Sequence, residues 1–62
     1  MTKEEIREWA GNLAENDERV DWQKSDPVLG SDIVGIIRDE NPNATDSDID
    51  QIARLINKRK RS

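Results

Sequence analysis

Residues 33–37 read Ile-Val-Gly-Ile-Ile, and their conformation determines whether the chain is entirely helical. Four of these five residues are β-branched, a type enriched in strands, and so short an apolar run cannot be assigned by periodicity alone. Leu29, Ile33, Ile36 and Ile37 nevertheless share one helical face, and the sequence holds no second strand-forming run. The pattern therefore favours a helix. The alternative is a ribbon-type dimer, in which this run pairs with a second chain.

The limits of this helix can be read in two ways. Asp26 can cap a helix and Pro27 suits a first helical position, which predicts a helix over about 27–40 with a kink at Gly30. Alternatively, the helix restarts after Gly30 with Ser31 as its cap. Pro42 blocks continuation in either case, because it lacks the backbone N–H.

Two further helices have clearer signals. Thr2 and Glu5 fit a capping box, and apolar residues then recur at helical spacing, which predicts a helix over about 3–16. Thr45 and Asp48 form a similar pair with Asp in place of Glu. The apolar spacing after this second pair predicts a helix over about 46–59.

Three helices with short connections predict an all-α fold, a small three-helix bundle over residues 1–57 followed by a basic tail at 58–62. The core is small, because only 13 of the 62 residues are Leu, Ile or Val and no Phe is present. The second helix is apolar over more than one face, and Val28, Leu29 and Val34 are candidates for surplus apolar surface. A homodimer is one way to cover such a surface.

The composition excludes several kinds of chemistry. The chain has no Cys and no His, so it can form neither a disulfide nor a Cys/His zinc site. A Ser–His or Cys–His catalytic pair is excluded for the same reason, and we expect a protein that is not an enzyme and needs no cofactor. The polar N-terminus and the short apolar runs predict a soluble, cytoplasmic protein without a membrane span.

Charge is distributed unevenly along the chain. Residues 1–50 hold all 14 acids and five bases, a net charge of −9, whereas residues 51–62 hold five bases and no acid. The acidic body predicts a non-catalytic protein-interaction module, an adaptor, regulator or inhibitor, whose partner carries a basic patch. Trp22 lies in a polar stretch, where it is either an interface residue or a cover over the open end of the bundle. The predicted partner-binding residues are Glu18, Asp21, Trp22, Val34 and Asp39.

The basic C-terminal residues suggest a second function, nucleic-acid binding. Its candidate residues are Arg54, Lys58, Arg59, Lys60 and Arg61. Basic residues at a helix C-terminus are equally explained by the negative end of the helix dipole.

The segment from Ile33 to Ile56 resembles a helix–turn–helix motif, which implies docking of its second helix on DNA. In that motif the N-terminal end of the second helix reads the bases. Here that end carries Asp46, Asp48 and Asp50, which would repel phosphates.

These three aspartates form a D-x-D-x-D pattern. A calcium loop starting at Asp46 requires Gly at its sixth position and Glu at its twelfth, but Gln51 and Asn57 stand there. The sequence therefore predicts no metal site.

Overall fold

The computed structural model describes residues 1–16 and 27–60, which form three helices. Helix α1 spans Lys3–Asn16, α2 spans Gly30–Glu40 and α3 spans Asp46–Lys60. The run at residues 33–37 lies inside α2, and no strand occurs in the described ranges. The protein is a small all-α three-helix bundle, as the periodicity predicts.

The predicted capping box at the start of α1 is confirmed. The Glu5 N–H donates to Thr2 Oγ1 at 3.2 Å, and the Thr2 N–H donates to Glu5 Oε1 at 3.1 Å. The hydrogen bond from the Thr2 N–H lowers the pKa of the Glu5 carboxyl below its ordinary value. Two backbone groups that a helix leaves without internal partners are thereby satisfied.

The predicted start of α2 at Pro27 is wrong, because the helix begins three residues later, at Gly30. The N-cap is Leu29, whose backbone is extended at φ −98° and ψ 157°, so the proposed Ser31 cap is also wrong. Asp32 supplies the missing cap from inside the first turn. Its carboxylate accepts a hydrogen bond from the Leu29 N–H at 2.9 Å, and its own N–H donates to the Leu29 carbonyl at 2.9 Å.

A contact with α3 explains why residue 28 stays outside the helix. The side-chain amide of Asn57 pairs with both backbone groups of Val28. Its Oδ1 accepts from the Val28 N–H at 2.7 Å, and its Nδ2 donates to the Val28 carbonyl at 2.9 Å. The Val28 side chain is buried in the core. We call this two-bond contact the Asn57 clamp, and it holds the segment before α2 against α3.

The second predicted capping box is also present, at the start of α3. The Asp48 N–H donates to Thr45 Oγ1 and the Thr45 N–H donates to Asp48 Oδ2, each at 3.1 Å. The preceding turn is closed by the Asn41 N–H, which donates to the Ile37 carbonyl at 2.8 Å, and by the Ala44 N–H, which donates to the Asn41 carbonyl at 3.1 Å. Local signals alone therefore position α3 directly after α2.

Helix α3 packs against both other helices, whereas α1 and α2 make no direct backbone approach to each other within the described residues. The amino group of Met1 lies near Asp48 and Glu15 near Arg59, so α1 and α3 run parallel. The largest fully buried side chains come from all three helices, and they are Leu13, Ile33, Ile37, Ile52 and Ile56. Trp9 of α1 is half-buried and packs against this cluster.

Candidate functional site

The outward face of α2 is acidic. Asp32, Asp39 and Glu40 are exposed, and we refer to these three as the acidic surface. Gly35 lies between them in the helix, and the position of its missing Cβ has no atom within 4 Å. A partner can therefore approach the backbone of α2 closely at this point.

The acidic surface keeps its charge because the one cation of α2 is engaged elsewhere. Arg38 Nε donates to the Ala44 carbonyl at 3.1 Å, and Arg38 Nη2 lies 2.7 Å from Asp46 Oδ1. Arg38 therefore ties the end of α2 to the start of α3. Asp39 and Glu40 have no ion-pair partner in the part of the chain that the structure describes.

The structure does not bring together the two described residues of the predicted partner site. Val34 is half-buried and packs against the core, whereas Asp39 is exposed. At 100° per residue the two side chains leave α2 about 140° apart. The other three predicted residues, Glu18, Asp21 and Trp22, lie outside the described residues.

The surplus apolar surface predicted for the second helix is reduced to one large side chain. Val28 is buried and Val34 is half-buried. Leu29 is 61% exposed, and among the described residues it is the large apolar side chain that stays exposed. It stands at the N-terminal end of α2, and the acids Asp39 and Glu40 stand at the opposite end.

The basic residues at the end of α3 are partly neutralised. Arg54 Nε lies 3.0 Å from Asp50 Oδ2, and Arg59 Nη1 lies 3.1 Å from Glu15 Oε1. Lys58 is exposed in the last turns of the helix. Lys60 ends α3, and Arg61 lies outside the described residues.

The three aspartates at the start of α3 face different partners. Asp46 pairs with Arg38 and Asp50 with Arg54. Asp48 is 7% exposed, and its Oδ2 accepts from the Met1 ammonium group at 3.3 Å as well as from Thr45. The hydrogen bond from the Thr45 N–H lowers the pKa of the Asp48 carboxyl. No group of three or more acidic side chains in residues 1–16 and 27–60 could hold a metal ion.

Two basic residues of α1 join Arg54, a grouping that the sequence analysis missed. The parallel packing of α1 and α3 creates an open groove of about 350 Å³. It is lined by Lys3, Ile6, Arg7, Gln51, Arg54 and Leu55. The spacing of Lys3 and Arg7 by four residues places both on one side of α1, but only the packing against α3 sets them beside Arg54.

No known protein family, no curated protein and no solved structure matches this chain. No helix in the described ranges is long and apolar enough to cross a membrane. Because proteins with the same fold can have unrelated functions, the function has to be argued from these surfaces.

Proposed function

We propose that this protein is a small interaction module without catalytic activity, which binds a basic patch on another protein through the acidic surface of α2. The observation that carries the proposal is the unpaired state of Asp39 and Glu40, next to an Arg38 that the turn has already engaged. Acidic side chains without internal partners are available to the cations of a second molecule. An adaptor, regulator or inhibitor needs no more chemistry than this.

The two ends of α2 have different roles in binding. At 1.5 Å per residue, Leu29 lies about 15 Å along the helix axis from Asp39. Charged groups mainly increase the rate of association and select the partner, because long-range attraction acts before contact. Leu29 supplies apolar area, which charge alone does not. The fitting partner thus combines a basic patch with a neighbouring apolar recess.

The proposal is tested by reversing charge on this surface. In pull-downs from the source extract, we expect Asp39→Lys with Glu40→Lys to lose the partners that the parent protein retains at low salt. The matched control is Glu4→Lys with Glu8→Lys, an equal charge change at exposed positions of α1. Equal capture by the parent and by both double variants would overturn the proposal.

Nucleic-acid binding is the second candidate, and the exposure of Arg54 and Lys58 one turn apart on α3 favours it. The aspartates at the start of the same helix and the Arg54–Asp50 pair oppose it. A gel shift at low salt compares the parent with Lys58→Gln plus Arg59→Gln. Binding by the parent that the double variant loses would support this candidate, and no shift of either protein would remove it.

A further inference from the structure

We infer that the groove between α1 and α3 is a second binding site, which takes an acidic amphipathic helix of a partner protein. This site is separate from the acidic surface of α2 and does not depend on it. The inference rests on two properties of the groove, its cationic rim and its apolar floor, and the acids of the surrounding chain limit the length of anion that fits.

The charged residues that line the groove are all cations. Lys3 and Arg7 come from α1, Arg54 comes from α3, and the remaining lining residues are uncharged. Lys3 and Arg7 have no ion-pair partner within the described part of the chain. Two cations without an acidic partner therefore stand one helical turn apart in a protein that has 14 acids and 10 bases.

The third cation of the rim can exchange its partner. Arg54 pairs with Asp50 at 3.0 Å, but the side chains are 78% and 59% exposed. An ion pair between exposed groups contributes little, because water solvates both groups well. Arg54 can therefore turn toward an incoming carboxylate without a large loss.

The floor of the groove is apolar and decides which kind of anion fits. Ile6 and Leu55 contribute it, and Leu55 is half-buried, so part of its surface is still in contact with water. A phosphate backbone offers no apolar group to cover that surface. A helix with an apolar stripe flanked by acids covers the floor and faces the rim at the same time.

The acids elsewhere in the chain do not prevent this binding. At about 0.15 M ionic strength exposed charges are screened beyond about 8 Å, so distant acids contribute little to the potential in the groove. Asp50, whose Oδ2 lies 3.0 Å from Arg54 Nε, is inside this range and offsets Arg54, so Lys3 and Arg7 supply most of the positive potential. The distant acids do disfavour a long polyanion, because a nucleic acid would extend past the groove toward them. An acidic helix of a few turns is short enough to stay over the cations.

The test uses a synthetic helical peptide of about 20 residues, with Leu on one face and Glu on both sides, which exceeds the length at which isolated helices are marginal in water. Two control probes are the same peptide with Leu replaced by Ser and a short oligothymidylate. Binding is followed by the chemical shifts of backbone amides in NMR spectra of the full chain. We expect the acidic Leu peptide to shift amides along the groove and to bind more tightly than either control probe.

Site specificity is tested with two variants of equal charge change. Arg7→Gln should weaken binding of the peptide about fivefold, whereas Lys58→Gln, outside the groove, should change it less than about twofold. Arg7 is exposed and unpaired, so the variant should keep the parent fold, which circular dichroism verifies. Equal effects of the two variants, tighter binding of the oligothymidylate, or no binding of the peptide would each overturn the inference. Asp39→Lys with Glu40→Lys should leave peptide binding intact, which separates this result from that of the proposed function.

Discussion

Replacement of Asn57 by Ala should destabilise the whole bundle, although Asn57 is a polar residue near the end of α3. Its side chain makes both hydrogen bonds of the Asn57 clamp, at 2.7 and 2.9 Å, to a residue 29 positions earlier in the chain. Val28 is 5% exposed, so water reaches its backbone groups poorly when the amide is removed.

The expected magnitude follows from these two bonds. A hydrogen bond contributes about 0.5–1.5 kcal/mol net, so the pair contributes about 1–3 kcal/mol. Ala has a higher helix propensity than Asn, which offsets about 0.5 kcal/mol of this loss in the free energy of unfolding. We therefore expect a net loss of about 0.5–2.5 kcal/mol in the free energy of unfolding. In a domain of this size, that loss lowers the Tm by about 2–20 °C.

The assay is urea and thermal unfolding followed by far-ultraviolet circular dichroism. The control is Asn12→Ala, which makes the same substitution at an exposed position of α1 and gains propensity without losing a clamp. Asn57→Asp keeps the acceptor for the Val28 N–H but places a carboxylate against the Val28 carbonyl, so it should be at least as unstable as Asn57→Ala. If Asn57→Ala unfolds at the same urea concentration as Asn12→Ala, the clamp does not stabilise the fold and the reasoning is wrong.

Three further outcomes are expected from single substitutions. Gly35→Ala should raise stability by about 1 kcal/mol, because the new methyl group meets nothing, and Gly30→Ala should gain less, because its methyl group would press on an isoleucine methyl of α3 at 3.3 Å. Ile52→Ala, at a fully buried position, should lower the free energy of unfolding by about 2–5 kcal/mol. This is a large part of the total of about 3–9 kcal/mol that is typical of 62 residues. A Tm within a few degrees of the parent would contradict this prediction. The lowered pKa of Asp48 means that its stabilising effect is complete above about pH 4 and is lost as the pH falls further, because the unfolded chain then binds more protons. Thermal unfolding across that range should show a weaker acid dependence for Asp48→Asn than for Asp50→Asn, and identical pH profiles would disprove the role.

The parts of the fold that the sequence predicts correctly are those determined locally. The capping pairs Thr2–Glu5 and Thr45–Asp48 span three residues each, and the apolar spacing is read within one helix. The start of α2 is different, because the Asn57 clamp competes with the helical conformation at Val28. Nothing near Pro27 in the sequence signals a contact with a residue of another helix.

The candidate site also has a part that can be predicted from local sequence and a part that depends on tertiary packing. That α2 exposes acids can be read from its sequence, and the wide angle between Val34 and Asp39 follows once the helix is assigned. The grouping of Lys3 and Arg7 with Arg54 requires the parallel packing of α1 and α3, which is a property of the tertiary structure. Counting charge along the chain assigns Lys3 and Arg7 to the acidic part and Arg54 to the basic part, although the fold brings the three together.

The central place of α3 constrains when this protein can fold. In the described residues the backbones of α1 and α2 both approach α3 closely and do not approach each other, so the shared core is built around α3. A ribosome synthesises α3 after α1 and α2, so the nascent chain lacks their main packing surface until α3 emerges. Helices of 14 and 11 residues are marginal in water when they have nothing to pack against. While the core is incomplete, the 39% of residues that are charged favour the solubility of the emerging chain.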